Sequence, residues 1–172
     1  MSERQEKREQ FTKTRSKSSK LLPLVMVALV VAGGAAWLFV SPGDGGHRLV
    51  SADRDGRILL ATGDFADGQA RFYRFEDESG PIDFFVVQSR DGVIRAAFDS
   101  CDVCYRELKG YRQEGNEMVC VNCGQRFPTD KINVLKGGCN PAPLERQQRA
   151  DQVVIAASDI KRGAGYFAGR VN

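Results

Sequence analysis

The sequence predicts a mainly β protein of the α+β class. A single amino-terminal transmembrane helix is expected, followed by a compact β-rich domain outside the cytoplasm with a cysteine-rich metal-binding insertion. Three observations point there. Residues 21–40, LLPLVMVALVVAGGAAWLFV, hold no charge over twenty positions. Short runs rich in β-branched and aromatic residues follow, separated by Asp-Gly and Ser-Gly steps, with no long amphipathic helix among them. Two Cys-x-x-Cys pairs then stand fifteen residues apart, and a fifth cysteine comes soon after.

Residues 1–20 carry seven Lys or Arg and three Glu with no apolar run, which reads as a disordered basic tail. At 1.5 Å per residue, the apolar run 21–40 makes roughly 30 Å of helix, enough for one bilayer crossing. Pro23 falls in its first turn, where a missing N–H costs least, and Trp37 sits near the far end as an interfacial aromatic. A cleaved signal peptide has a shorter apolar region and a small-x-small site, and the SPGDGG that follows offers none. The retained anchor is therefore the reading, with the basic flank cytoplasmic and residues 41–172 across the membrane.

Residues 41–47 are Gly-rich and polar and read as a short flexible linker, with His47 an exposed member of it. The chain as a whole has 172 residues and a formal charge of +3. The tail accounts for +4 of that; residues 41–172 hold 18 basic and 19 acidic side chains, a balance of −1. Nothing in that balance recommends nucleic acid as a partner, whereas the tail suits anionic lipid.

In the domain 48–172, RILLA (57–61), QARFYRF (69–75), IDFFVVQS (82–89) and VIRAAF (93–98) are the predicted strands. Asp91-Gly92 suits a tight hairpin between the last two. The chain also echoes itself, since LLATGDFADGQARFY (59–73) aligns with VIAASDIKRGAGYF (154–167) at an offset of 95. In each, an apolar strand meets an Asp able to cap a helical turn before a Gly lets the chain turn back. Two such units are expected to be neighbours in one sheet or barrel.

Cys101, Cys104, Cys120 and Cys123 form the two pairs within an insertion that runs from 101 to 139. A Cys-x-x-Cys turn places two sulfurs on one ion, and two such turns make a tetrahedral S₄ site. Gly124 fits a knuckle whose backbone N–H groups face the sulfurs, and KGYRQEGNEMV between the pairs suits a small hairpin. CYRELKG has the length of about two helical turns. Cys139, in GGCNP, exceeds what a four-ligand site needs and is a further candidate ligand. Tyr105, Tyr111 and Phe127 are candidates to cover the centre or to serve as plain core aromatics. Arg106, Lys109, Arg112, Arg126, Lys131 and Lys136 are candidates to balance thiolate charge or to be ordinary surface. The residues leave three readings open: a redox iron site, structural zinc in an interaction domain, or thiol–disulfide exchange. No catalytic residue is assigned, because the domain has no histidine near the cysteines to serve as a base.

The run FFVVQSRDGVIRAAFDSCDVCYRELKGYRQEGNEMVCVNCGQRFPTDKINVLKGGCNPAPL resembles the FtrD-like family of membrane iron–sulfur proteins. The likeness extends over about residues 48–168 and is densest at FDSCDVCY, KGY, MVCVNCG, RFP, IN and GGCNP. The resemblance implies an iron–sulfur cluster or mononuclear iron, with zinc as the alternative. It implies Cys101, Cys104, Cys120 and Cys123 as ligands, with Cys139 among the family's characteristic cysteines. It further implies electron transfer at the outer face of a bacterial cytoplasmic membrane, with an iron permease or another membrane redox protein as partner. Some relatives have several membrane spans where this chain has one predicted anchor.

Overall fold

The strand GPIDFFVVQ is apolar at nearly every position because both of its faces are covered. The computed structural model describes residues 46–169. The expected tail, the anchor and most of the linker lie outside them. Among the described residues no helix is long and apolar enough to cross a membrane.

The described residues form ten strands, in chain order β1 (Arg48–Val50), β2 (Arg57–Ala61), β3 (Arg71–Asp77), β4 (Gly80–Gln88), β5 (Ile94–Phe98), β6 (Tyr111–Glu114), β7 (Glu117–Cys120), β8 (Arg126–Pro128), β9 (Gln147–Arg149) and β10 (Gln152–Ala156). Among the described residues, one short α-helix, α1 (Ala157–Lys161), and a few 3₁₀ turns complete them. The strands form three sheets in the orders β1-β3-β4-β5, β2-β10-β9 and β6-β7-β8. All pairings are antiparallel except β1 with β3. The protein is mainly β with few short helices, as its composition of strand-like runs predicts.

Alternation along β4 sorts its side chains between two cores. Ile82, Phe84 and Val86 join Ile58, Phe65, Val153, Ile155 and Ile160 under the β2-β10-β9 sheet. Phe85 and Val87 turn the other way, onto Ala97, Tyr111, Met118 and Ile132 beside the β6-β7-β8 sheet. Each fully buried Phe or Ile contributes roughly 1.5–3 kcal/mol, so the central sheet anchors both layers. The small sheet that carries one cysteine pair is thereby held against a rigid strand.

The internal echo is a real structural relation. β2 and β10 are antiparallel neighbours, with Leu59 opposite Val154 and Ile58 opposite Ile155. Each runs into a helical turn, Thr62–Phe65 after β2 and α1 after β10. The expected Asp caps do not form. Asp64 and Asp159 lie inside the first turn, the caps are Ala61 and Ala156, and neither makes a side-chain cap bond. The second unit also ends in a 3₁₀ turn, Ala164–Phe167, where the first continues into β3.

Candidate metal centre

Three separate segments bring the cysteines together. β5 ends at Phe98, so Cys101 and Cys104 lie on the loop leaving the sheet. Cys120 closes β7 opposite Tyr111 of β6, in the hairpin that the sequence between the pairs suggests. Cys139 arrives because the chain after it zips along the end of β5. There the Phe98 N–H donates to the Ala142 carbonyl at 2.8 Å, and the Ala142 N–H donates to the Ser100 carbonyl at 2.9 Å. The two knuckles are tied to each other as well. The Val121 N–H donates to the Gly110 carbonyl at 3.0 Å, and Lys109 Nζ donates to Asn122 Oδ1 at 2.9 Å.

All five predicted cysteines meet in one place, as two overlapping sets of three sulfurs. Cys101, Cys104 and Cys139 form one set and Cys104, Cys120 and Cys123 the other, with sulfurs in each set within 4.8 Å of one another. Cys104 belongs to both. Its Sγ lies 3.9 Å from that of Cys139. All five are free thiols. Cys101 and Cys120 are buried, Cys104 and Cys139 half-buried, and Cys123 exposed, so the cluster runs from the core to the surface.

Backbone donors face the sulfurs, as the knuckle reading requires. The Cys104 N–H points at Cys101 Sγ at 3.2 Å. Gly124, at φ +74°, turns the second knuckle so that its N–H returns to the Cys120 carbonyl at 2.9 Å. The Gln125 N–H bonded to Cys123 pulls that thiol below its usual value. Burial pushes Cys120 up to about 11 and, with Cys123 and Cys104 beside it, Cys139 up to about 12. Without a cation Cys120 and Cys139 keep their protons at neutral pH, so binding an ion there displaces protons.

The donor set fits a thiophilic metal. Soft thiolates select zinc, cuprous copper or iron, and four of them complete a tetrahedron. With metal–sulfur bonds of about 2.3 Å, the edge of that tetrahedron is about 3.8 Å, close to the 3.9 Å between Cys104 and Cys139. Other pairs within the sets reach towards 4.8 Å, which also accommodates an inorganic core that spreads the thiolates.

Tyr111 braces the inner wall. Its ring packs between Phe85 and Phe127, its hydroxyl donates to the Cys139 carbonyl at 2.6 Å, and its N–H donates to Asp99 Oδ1 at 2.6 Å. Tyr105 stands apart, edge-on to Tyr166. CYRELKG makes a single 3₁₀ turn, Tyr105–Glu107, instead of two helical turns, because Leu108 caps it in the left-handed region at φ 53°. Of the candidate basic residues, Lys109, Arg112, Arg126 and Lys131 pair with neighbouring carboxylates on the surface. These four side chains make five ion pairs, so their charge is largely taken up by carboxylates and not by the thiolates.

His47 is the clearest departure from expectation. It is no exposed linker residue: its side chain is 18% exposed, and Nε2 lies 3.0 Å from Asp99 Oδ2 and 3.3 Å from Asp83 Oδ2. Arg74 holds the buried Asp83 through two hydrogen bonds, at 2.7 and 2.9 Å. This polar cluster escapes sequence reading, although one signal is present: Asp83 interrupts an otherwise apolar strand that is buried on both faces.

Comparison with known proteins accords with the centre. The chain matches the family described as membrane iron-sulfur containing protein FtrD-like over residues 65–167, which include all five cysteines. No curated protein matches it. Among solved structures it is similar to the quaternary ammonium Rieske monooxygenase CntA in complex with an inhibitor, at 18% identity and a TM-score of 0.40. That similarity covers 67% of this chain and 36% of the monooxygenase chain, so this chain spans about a third of that structure's length.

Proposed function

We propose, for a chain that belongs to the FtrD-like family of membrane iron–sulfur proteins, that its cysteines hold iron and that the domain carries electrons at the outer surface of a membrane. The observation that supports this most is the convergence of five sulfurs from three segments into two sets sharing Cys104.

Iron held by thiolates supplies a one-electron couple. The chain supplies the rest. The Cys104 and Gln125 N–H groups aim at sulfur and stabilise its negative charge, which raises the potential of whatever the sulfurs bind. Tyr111, Phe85 and Phe127 close the inner side to water. Exposed Cys123 gives the centre a short route to the surface, where Val103 and Val121, the apolar residues inside the two knuckles, are 62% and 41% exposed. An apolar rim around a redox centre suits brief contact with a partner. The apolar run 21–40 retains the domain at the membrane, with the tail on the cytoplasmic side. An iron permease or another membrane redox protein is the partner this arrangement serves.

Zinc would use the same ligands, and chemistry separates the two. Full chain purified in detergent without oxygen is analysed for metal and acid-labile sulfide. Iron in proportion to protein is the expected result, and the sulfide content then reports whether it is a cluster or a single ion. Stoichiometric zinc would make the domain an interaction module instead.

A further inference from the structure

Beside the cysteine centre lies a second set of donors that no part of the reading above uses. His47 Nε2, Asp83 Oδ2 and Asp99 Oδ2 lie within 4.8 Å of one another. Asp83 and Asp99 are 0% and 5% exposed. Both carboxylates are fixed by other donors: Arg74 bonds to both oxygens of Asp83, and the Tyr111 N–H holds the other oxygen of Asp99. The imidazole is set edge-on against Phe72. Gly110, at φ +64°, leaves room for Asp99, since a Cβ there would stand 2.3 Å from its carboxylate.

Two buried carboxylates and an imidazole nitrogen converge on one point, and a cation held between them offsets the cost of burying their charge. The neighbourhood favours a metal ion there. Asp99 stands two residues from Cys101, and Tyr111 touches both sites. Four thiolates carry more negative charge than one divalent or trivalent ion neutralises, so the field from that side attracts a further cation.

We propose that His47, Asp83 and Asp99 form a second metal site, which takes a divalent transition-metal cation such as ferrous or manganous ion. One imidazole nitrogen and two carboxylate oxygens suit such ions, and carboxylates already oriented by other hydrogen bonds are what a ligand set needs. Of the three ligands His47 is the most exposed, so the cation enters past its ring. The field argument rests on the cysteine centre being loaded as proposed above; the donor geometry does not.

The test uses the full chain in detergent, purified without a histidine tag, with Mn²⁺ as the probe because it prefers oxygen and nitrogen to thiolate. His47 is the only histidine in the chain. An imidazole-nitrogen coupling in the pulsed EPR of bound Mn²⁺ can therefore come from nowhere else. One bound Mn²⁺ per chain with that coupling is expected, and His47→Ala should weaken binding at least about tenfold. No bound Mn²⁺, bound Mn²⁺ without nitrogen coupling, or equal binding by His47→Ala would each overturn the site. The wild-type coupling serves even if the variant folds poorly. The visible thiolate–iron absorption of the same sample reports separately on the cysteine centre, so the failure of either reading is distinguishable from that of the other.

Discussion

Cys104 belongs to both three-sulfur sets, whereas Cys139 belongs to one. Replacing Cys104 with Ser opens both sets, and replacing Cys139 leaves Cys104, Cys120 and Cys123 intact. Cys104→Ser is therefore expected to lose nearly all bound metal, and Cys139→Ser to retain a larger share, read as metal per chain after gel filtration. Equal retention by the two would remove the shared role of Cys104. The paired cysteines were legible in the sequence because chelation imposes a short, fixed spacing on two sulfurs. His47 was not, since its partners stand 36 and 52 residues away along the chain. A contact across that span leaves no spacing to read; only the Asp inside an apolar strand hints at it.

The element that joins the two cores is β4, and its neighbouring phenylalanines separate their roles. Phe84 stacks on Tyr73 under the β2-β10-β9 sheet, while Phe85 packs on Tyr111 beside the cysteines. Truncating either to Ala should cost about 3–5 kcal/mol in denaturant unfolding. Only Phe85→Ala should also speed metal loss to a chelator, because Tyr111 then loses its support. Equal chelator rates for the two variants would mean that the wall does not brace the centre. At the other end of the sheet, Lys161 of α1 bonds to Asp77 at the close of β3 at 2.7 Å. That bond, helped by Ser79, holds Asp77 down to about 2 from its ordinary 3.8. A depressed carboxyl stabilises the fold above its unfolded value and loses that contribution as pH falls towards the folded one. Lys161→Ala should thus be less stable than wild type near about pH 6, with the gap closing between about pH 4 and 2. A gap independent of pH would place the effect of Lys161 elsewhere. Strand positions were legible where β-branched and aromatic residues cluster. β8 and β9, at three residues each, lie below the length at which alternation shows.

At the scale of the whole molecule the central sheet acts as a partition. One face builds the hydrophobic core that makes a stable domain, and the other presents a small sheet and two loops whose cysteines converge. The fold class was readable because turn residues punctuate apolar runs, and the repeat even indicated the β2–β10 neighbourhood. The three-sheet layering was not, because which face of β4 meets which sheet is decided by contacts distant in sequence. The run 21–40 predicts that full chain sediments with membranes and resists alkaline extraction, while residues 41–172 alone stay in the soluble fraction. Release of full chain by alkali would contradict a spanning anchor. Electron transfer itself is tested by an optical redox titration of the full chain in detergent. A visible absorption that bleaches on reduction and returns on oxidation, one electron per centre and absent from Cys104→Ser, is the predicted result. A colourless protein with no reversible change across the titration would contradict it.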